Sequence, residues 1–419
     1  MDQVTLALIL AGLIIVIGFL SNYILERAGF PDMIFLIFLG FLLGPATGLV
    51  DATSVMGLAP YLAALALVYI LFDGGMHMNI YRVFSESPRA AILAVTGFVI
   101  NVTAVTLFMM YLVIPHEPPF FSLLFGTMYG GSSSIAVISL VNKIRPSEKC
   151  TTVLNLESTI GDILQIVFSL AIIEIILTGK IDLTIVSQSI ASSFSVGAVL
   201  GVIFGILWLS VLKKIVKATY AYMLTLAIVL LAYAFAEFLG GSGALCSLLF
   251  GVMLGNEEEV YKIFKMGRPL NSAVDSGLKR FESEVAFLLR TFFFVYIGLI
   301  IIIEDIMTVI IGVTLSLILL LVRFGAVKIA TFRCSDLVKE RAIMNVMLTR
   351  GLAAAVLATI PLQYTDVEKY LEVGEIFQRL APLYVSLAVI IILATAIITT
   401  VSIPLLKKKS IPLTNSCKD

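Results

Sequence analysis

Apolar runs long enough to cross a membrane follow one another along almost the whole chain, and they limit the fold more than any other feature. A membrane-spanning helix needs about 20 such residues. The composition agrees, since 60% of the 419 residues are hydrophobic and 13% are charged, whereas soluble domains carry about 25% charged residues. We therefore predict an all-α polytopic membrane protein. A soluble enzyme, a disordered chain and a nucleic-acid binder are excluded.

Thirteen transmembrane spans can be placed on the sequence. We predict them at about 4–25, 33–50, 57–73, 89–114, 120–142, 150–177, 184–212, 219–239, 241–255, 281–303, 306–331, 341–362 and 380–406. No basic segment precedes the first span, so we expect a mature helix and not a cleaved signal. The polar stretch 256–280 is expected to be a cytoplasmic helical linker that lies along the membrane interface and joins two halves.

Basic residues report the orientation, because Lys and Arg concentrate in cytoplasmic loops. With the N-terminus outside, the predicted cytoplasmic segments carry 21 of the 28 basic residues, the outside loops carry 3, and 4 lie within spans. This asymmetry predicts an outside N-terminus and a cytoplasmic C-terminus in a multi-pass protein of the cell membrane.

Two spans carry helix-breaking sequences near their middles. Residues 126–134 of span 5 read GTMYGGSSS, and residues 348–354 of span 12 read LTRGLAA. Glycine and clustered Ser or Thr loosen a membrane helix and offer substitute hydrogen bonds to the freed backbone. Such residues also let helices pack closely. The two spans lie seven apart, and an odd offset gives opposite orientations, as an inverted repeat of a transporter requires.

Only two acidic residues lie deep inside a predicted span, and both are in span 6. Ionisable residues at such depth are costly and are functional candidates. Glu157 and Arg323 lie at similar distances from the cytoplasmic ends of spans 6 and 11, which predicts an ion pair between them. Asp162 then has no fixed partner. A partly desolvated carboxylate of this kind holds a proton more tightly, and it could exchange that proton for a cation.

The predicted cation-binding residues are oxygen donors around these acids, because hard cations such as Na⁺ prefer oxygen. They are Asp162, Glu157, Ser158, Ser132 and Ser133, joined by unwound carbonyls of span 5. We expect Arg350 to neutralise the carbonyl end of a half-helix at the break in span 12. No resident cofactor is expected, and Na⁺ and H⁺ are the predicted transported ions.

These residues resemble a known family. Segment 156–162 reads LESTIGD and resembles the Glu-Ser-x-x-Asn-Asp signature of the monovalent cation:proton antiporter family, in its branch of prokaryotic and animal sodium/proton exchangers. Segments 71–76 (LFDGGM), 292–298 (FFFVYIG) and 349–355 (TRGLAAA) resemble further family segments. The similarity covers the whole membrane region in the family's order.

The resemblance implies thirteen helices with two crossed, discontinuous helices and a homodimer in a prokaryotic cell membrane. Its expected parts are scaffold and dimerisation helices at 1–88, core half one at 89–180, scaffold helices and linker at 181–303, core half two at 304–406 and a tail at 407–419. The core is expected to move against the scaffold. By position, Asp162 is the exchange carboxylate, and Glu157 with Ser158 are nearby ligands or supports.

Two departures from the family pattern bear on stoichiometry and selectivity. The Asn that usually precedes the essential Asp is Gly161 here. The usual Thr-Asp-Pro motif is Ser132 followed by Ser133 and Ser134, so a second carboxylate is missing from the crossing point. The resemblance then implies electroneutral exchange of one H⁺ per cation.

Other functions stay open to different degrees. A K⁺/H⁺ antiporter is the main alternative, because serine-rich breaks also occur in the potassium/proton branch of the family. A symporter for an organic solute would be expected to place more polar or aromatic groups around the breaks. A membrane-embedded enzyme has no support, because the sequence shows no catalytic constellation or zinc spacing.

Overall fold

The computed structural model describes residues 3–28, 32–50, 59–77, 88–144, 146–178, 183–215, 220–264, 274–301, 305–365 and 371–409. Within these ranges the chain forms helices joined by short turns and has no β-strand. The α-helices are α1 Gln3–Ala28, α2 Asp32–Phe41, α3 Ala59–His77, α4 Pro88–Phe108, α5 Pro119–Thr127, α6 Ser134–Ile144, α7 Glu148–Thr178, α8 Leu183–Ile215, α9 Ala221–Phe238, α10 Gly243–Gly255, α11 Glu257–Ile263, α12 Ser276–Ile300, α13 Ile306–Ala330, α14 Ser335–Lys339, α15 Arg341–Val346, α16 Leu352–Thr359 and α17 Leu371–Lys409.

Three short segments depart from α-helical geometry. Leu42–Ala46 continues α2 as a π-helix that contains Pro45, and Met109–Val113 continues α4 in the same way. Ile360–Tyr364 continues α16 as a 3₁₀-helix.

Many of the described helices are long and apolar enough to cross a membrane. Seven meet that length and composition within 88–113, 148–177, 191–215, 221–238, 276–300, 306–330 and 373–402, and several described helices are shorter and apolar. The prediction of an all-α polytopic membrane protein is confirmed. The count of thirteen spans stays a prediction.

Two of the predicted spans are each built from two helices. Span 5 consists of α5 and α6, separated by the non-helical residues 128–133, which we call break 1. Span 12 consists of α15 and α16, separated by residues 347–351, which we call break 2. Both breaks lie where the glycine and hydroxyl residues indicated them.

Other predicted boundaries need correction. The polar stretch 256–280 contains α11 and the start of α12. Helix α12 begins before the predicted span at 281, because Asp275 caps it by accepting a hydrogen bond from the Leu278 N–H at 2.8 Å. Residues 265–273 lie outside the described ranges. The last helix runs from Leu371 to Lys409, so it is longer than the predicted span 380–406 and includes the first residues of the predicted tail.

The helices pack in two groups. In one, α10 packs against α3, α8 and α9, and α12 packs against α2 and α3. In the other, α4 packs against α5, α7 and α13, and α17 packs against α13 and α16. The groups meet where α3 packs against α16. The division into scaffold and core, with its exact boundaries and its motion, stays a prediction.

The backbones of α3 and α10 touch each other at glycines, where no side chain separates them. A Cβ added to Gly75 would meet the carbonyl oxygen of Leu248, and one added to Gly251 would meet the carbonyl oxygen of Phe72. Close backbone approach of this kind is how small residues drive helix association in membranes.

Adding one methyl group at this contact should therefore destabilise the protein. We expect Gly75→Ala to lower the free energy of unfolding by about 1–3 kcal/mol, because the methyl group forces apart two backbones that cannot both move cheaply. The neighbouring Gly74→Ala is the matched control, since a Cβ there meets nothing within 4 Å. Thermal unfolding of both purified variants in one detergent checks this, and equal midpoints would contradict it.

Candidate functional site

The two breaks are in direct contact with each other. The backbone N–H of Ser133 in break 1 donates to the carbonyl of Thr349 in break 2 at 2.8 Å. Gly351 carries no side chain where the side chain of Ser133 packs against it, and a Cβ there would meet the Ser133 hydroxyl. A backbone N–H of one break is thus hydrogen-bonded to a backbone carbonyl of the other at the point where the breaks cross.

A buried ion pair lies beside this crossing. Arg323 on α13 donates from its two terminal nitrogens to the two carboxylate oxygens of Glu157 on α7, at 2.8 and 3.0 Å. Both side chains are 6% exposed. The Ser132 hydroxyl also donates to Glu157 at 3.0 Å, and Arg323 Nε donates to the carbonyl of Met344 at 3.0 Å. This bidentate geometry neutralises two charges that could not stay buried alone.

Asp162 occupies a different environment on the same helix. Its Oδ2 accepts a hydrogen bond from the backbone N–H of Ser134 at 3.1 Å. Ser134 is the first residue of α6, so the carboxylate lies at the positive end of a half-helix. Among the described residues, no Lys, Arg or His lies within 4 Å of the Asp162 carboxylate. It is the acid deep in α7 that has no basic partner there.

Side chains from three elements bond to the backbone of break 1. Arg350 of break 2, which is buried, donates to the carbonyl of Gly131. Gln165 on α7 accepts from the N–H of Gly131 at 3.2 Å. Asn101 on α4 donates to the carbonyl of Gly130 at 2.9 Å. These bonds replace the helical hydrogen bonds that the break gives up.

Two glycines allow break 1 to lie directly on α7. A Cβ on Gly131 would meet the backbone of Gly161, and a Cβ on Gly161 would lie 3.2 Å from the Cα of Gly131. The structure thus gives a physical reason for Gly161, the residue that departs from the family signature. A larger residue there would push the break away from α7.

The three serines predicted to bind the cation lie in three different settings. Ser132 contacts Glu157, so it joins the Glu157–Arg323 pair. Ser158 donates its hydroxyl to the Asn155 carbonyl within α7 at 3.1 Å. Ser133 bonds to break 2 through its backbone. Their roles as cation ligands, and that of Asp162, stay predictions.

Some residues of the site were not predicted. Asn101 and Gln165 are buried amides in the middle of apolar spans, and that position was a signal that could have found them. Gln165 also lies three residues from Asp162, so both share one helix face. The contact of Ser134 depends on the rotation of α6 against α7, which no sequence pattern reports.

The sequence is similar to a family of exchangers and to named antiporters. It matches the family model described as sodium/hydrogen exchanger, transmembrane, over residues 11–409. It is 28% identical over 263 residues to the K(+)/H(+) antiporter NhaP2 of Shewanella sp. (strain ANA-3). This match covers 61% of this chain and 45% of that protein. It is 27% identical over 157 residues to Na(+)/H(+) antiporter 1 of Methanocaldococcus jannaschii, 37% of each chain. The matched segments thus span less than half the length of each of these relatives.

The fold is similar to a solved structure over nearly its whole length. The sodium proton antiporter MjNhaP1 from Methanocaldococcus jannaschii matches with a TM-score of 0.74 and 20% identity, over 97% of both chains. At this identity the likeness shows the fold alone.

Removing one partner of the buried ion pair should cost far more than removing both. We expect Arg323→Met to destabilise the protein by about 3–5 kcal/mol, because Glu157 is left charged and buried. The double variant Glu157→Gln with Arg323→Met should recover much of that loss. Lys149→Ala is the control, since its pair with Asp336 is exposed and contributes little. Thermal unfolding in detergent measures all three, and a double variant no more stable than Arg323→Met would contradict the coupling.

Proposed function

Because the chain belongs to the sodium/hydrogen exchanger family, we propose that it is a secondary antiporter that exchanges Na⁺ or Li⁺ for H⁺ across the cell membrane. The observation that carries this proposal is the contrast between two acids on α7. Glu157 is neutralised by Arg323, whereas Asp162 has no basic partner within 4 Å among the described residues. An unneutralised carboxylate at the crossing of two broken helices can take either a proton or a cation.

In this proposal cation and proton compete for Asp162. Break 1 lies against the part of α7 that carries Asp162. In the proposed site, hydroxyl and carbonyl oxygens of break 1, including those of Ser132 and Ser133, are the further ligands of the cation. Glu157 and Ser158 act as nearby ligands or supports, because Glu157 is already held by Arg323. One site that holds H⁺ or a metal ion, but not both, couples the two fluxes.

Alternating access supplies the movement. We infer that the group containing α4, α7, α13 and the two breaks moves against the group containing α3, α10 and α12. The first group carries the proposed ion site, and the two groups meet along contacts that include those of α3 with α16, α7 with α8 and α12 with α17. The protein is proposed to act as a homodimer, with its N-terminus outside and its C-terminus cytoplasmic in a prokaryotic cell membrane.

The number of carboxylates sets the stoichiometry. Ser133 and Ser134 leave Asp162 as the carboxylate at the crossing point. One carboxylate that releases one H⁺ for each monovalent cation moves no net charge. We therefore propose electroneutral 1:1 exchange.

Exchange of K⁺ for H⁺ is the second candidate. The observation that favours it is the name of the relatives that match over 61% of the chain, K(+)/H(+) antiporter NhaP2. Asp162 and the oxygens of break 1 suit either monovalent cation, so the choice is one of selectivity at the same site.

The first test replaces the proposed exchange carboxylate. In proteoliposomes, Asp162→Asn should reduce cation-driven dissipation of a pH gradient to the level of empty liposomes, because an amide neither takes up a proton nor neutralises a cation. Asp336→Asn is the matched control, since this acid is exposed and pairs with Lys149. Exchange by Asp162→Asn at the rate of the wild type would contradict the proposal.

The second test determines the ion and the charge balance with the wild-type protein. We expect Na⁺ and Li⁺ to dissipate the pH gradient and K⁺ to do so at least about tenfold less well, a difference of about 1.4 kcal/mol. An imposed membrane potential should leave the rate at saturating cation unchanged, because no net charge moves. Faster dissipation of the pH gradient with K⁺ than with Na⁺ would contradict Na⁺/H⁺ exchange and favour K⁺/H⁺ exchange. A strong voltage dependence would overturn the 1:1 stoichiometry.

A further inference from the structure

Break 2 is fixed to the last helix by two threonine hydroxyls. The Thr395 hydroxyl on α17 accepts a hydrogen bond from the backbone N–H of Arg350 at 3.1 Å. The Thr399 hydroxyl donates to the carbonyl of Val346, the last residue of α15, at 2.8 Å. Both threonines are fully buried, and they are four residues apart, so they lie on one face of α17. One hydroxyl thus binds an N–H of the interrupted span, and the other binds a carbonyl.

The Thr395 hydroxyl is oriented to accept this bond. It donates its own proton within α17, to the carbonyl of Ile391 at 2.7 Å, and its oxygen keeps lone pairs that can accept from another group. The N–H of Arg350 lies outside any helix and is buried with its residue. Removal of the hydroxyl would therefore take the acceptor away from a backbone group that lipid cannot hydrogen-bond.

The two halves of the molecule hold their breaks in the same way. In break 1 the N–H of Gly131 donates to Gln165 on α7, the helix that follows α6. In break 2 the N–H of Arg350 donates to Thr395 on α17, the last α-helix, which comes after α16. Residues 380–406 of α17 include no acidic or basic side chain. The anchor of break 2 therefore carries no charge that an ion could neutralise.

Break 2 in turn contacts the break beside the proposed ion site. The Arg350 guanidinium donates to the carbonyl of Gly131, and the Thr349 carbonyl accepts from the N–H of Ser133. Both contacts reach break 1, which lies against the part of α7 that carries Asp162. Because the two donors and acceptors of break 2 are on adjacent residues, a shift of its main chain would move both contacts together.

We propose that Thr395 and Thr399 are positioning residues for cation binding, since they hold break 2 where Arg350 and Thr349 support break 1. This inference rests on the proposed antiport and adds residues that act on its cation site. Neither hydroxyl is a ligand, and each acts through the backbone of break 2. A break that loses an anchor has more conformational freedom, and the cation must then restrict that freedom when it binds.

Thr395→Val tests the inference, because valine is close to threonine in shape and lacks the hydroxyl. In proteoliposomes, with whichever of Na⁺, Li⁺ and K⁺ the wild type exchanges, we expect the apparent KM for the cation to rise about tenfold, as loss of a buried hydrogen bond implies. The maximal rate should change much less. Thr395→Ser keeps the hydroxyl and should keep the wild-type KM.

Thr400→Val is the matched control on the same helix. The hydroxyl of Thr400 is also buried, and it has no hydrogen-bond partner among the described residues, so the KM should stay at the wild-type value. A merely structural role of Thr395 would lower the amount of folded protein, and thus the maximal rate, at an unchanged KM. That result, or an equal rise of the KM in Thr400→Val, would overturn the inference.

Two further measurements keep the inference testable. If Thr395→Val folds without measurable exchange, the affinity for the same cation is read from thermal stabilisation. If it does not fold, Thr399→Val decides, because the Val346 carbonyl then keeps the Leu348 N–H as a donor. Its KM should rise by a smaller factor, and an unmoved KM overturns the inference. Absence of exchange by the wild type with Na⁺, Li⁺ and K⁺ would instead refute the proposed antiport.

Discussion

An interrupted helix inside a membrane leaves N–H and C=O groups that lipid cannot hydrogen-bond, and the site depends on how the protein satisfies them. Side chains of Asn101, Gln165 and Arg350 bond to the backbone of break 1. Ser133 and Thr349 join the two breaks through their main chains. These bonds keep non-helical backbone at the centre of the molecule, where it can present oxygens and N–H groups to an ion.

The same constraint decides where the charges lie. Arg323 neutralises the buried negative charge of Glu157 through a bidentate pair. The carboxylate of Asp162 instead accepts a hydrogen bond from the backbone N–H of Ser134. The sequence departs from the family pattern it resembles at Gly161 and at Ser134, and the structure links the two positions. Gly161 lets break 1 approach α7, and Ser134 then offers Asp162 an N–H that a proline at that position would lack.

Much of this architecture could be predicted from sequence, because it depends on hydrophobicity and depth. Long apolar runs predicted the membrane helices, Gly and Ser clusters predicted the breaks, and matching depth brought Glu157 and Arg323 together. Contacts that depend on the rotation of one helix against another could not be predicted. The bond of the Arg350 guanidinium to the Gly131 carbonyl is one example. The bond between Ser134 and Asp162 depends on a backbone approach that hydrophobic periodicity does not report.

The proposed mechanism requires that one carboxylate holds either a proton or a cation. It is tested most directly by adding Na⁺, Li⁺ or K⁺ to the purified protein in weakly buffered detergent solution and measuring the protons released as the cation binds. We expect about one proton for each cation bound, since a ligand must lose its proton to bind a metal ion, and none from Asp162→Asn. Cation binding by the wild-type protein without proton release, or equal release from Asp162→Asn, would contradict it.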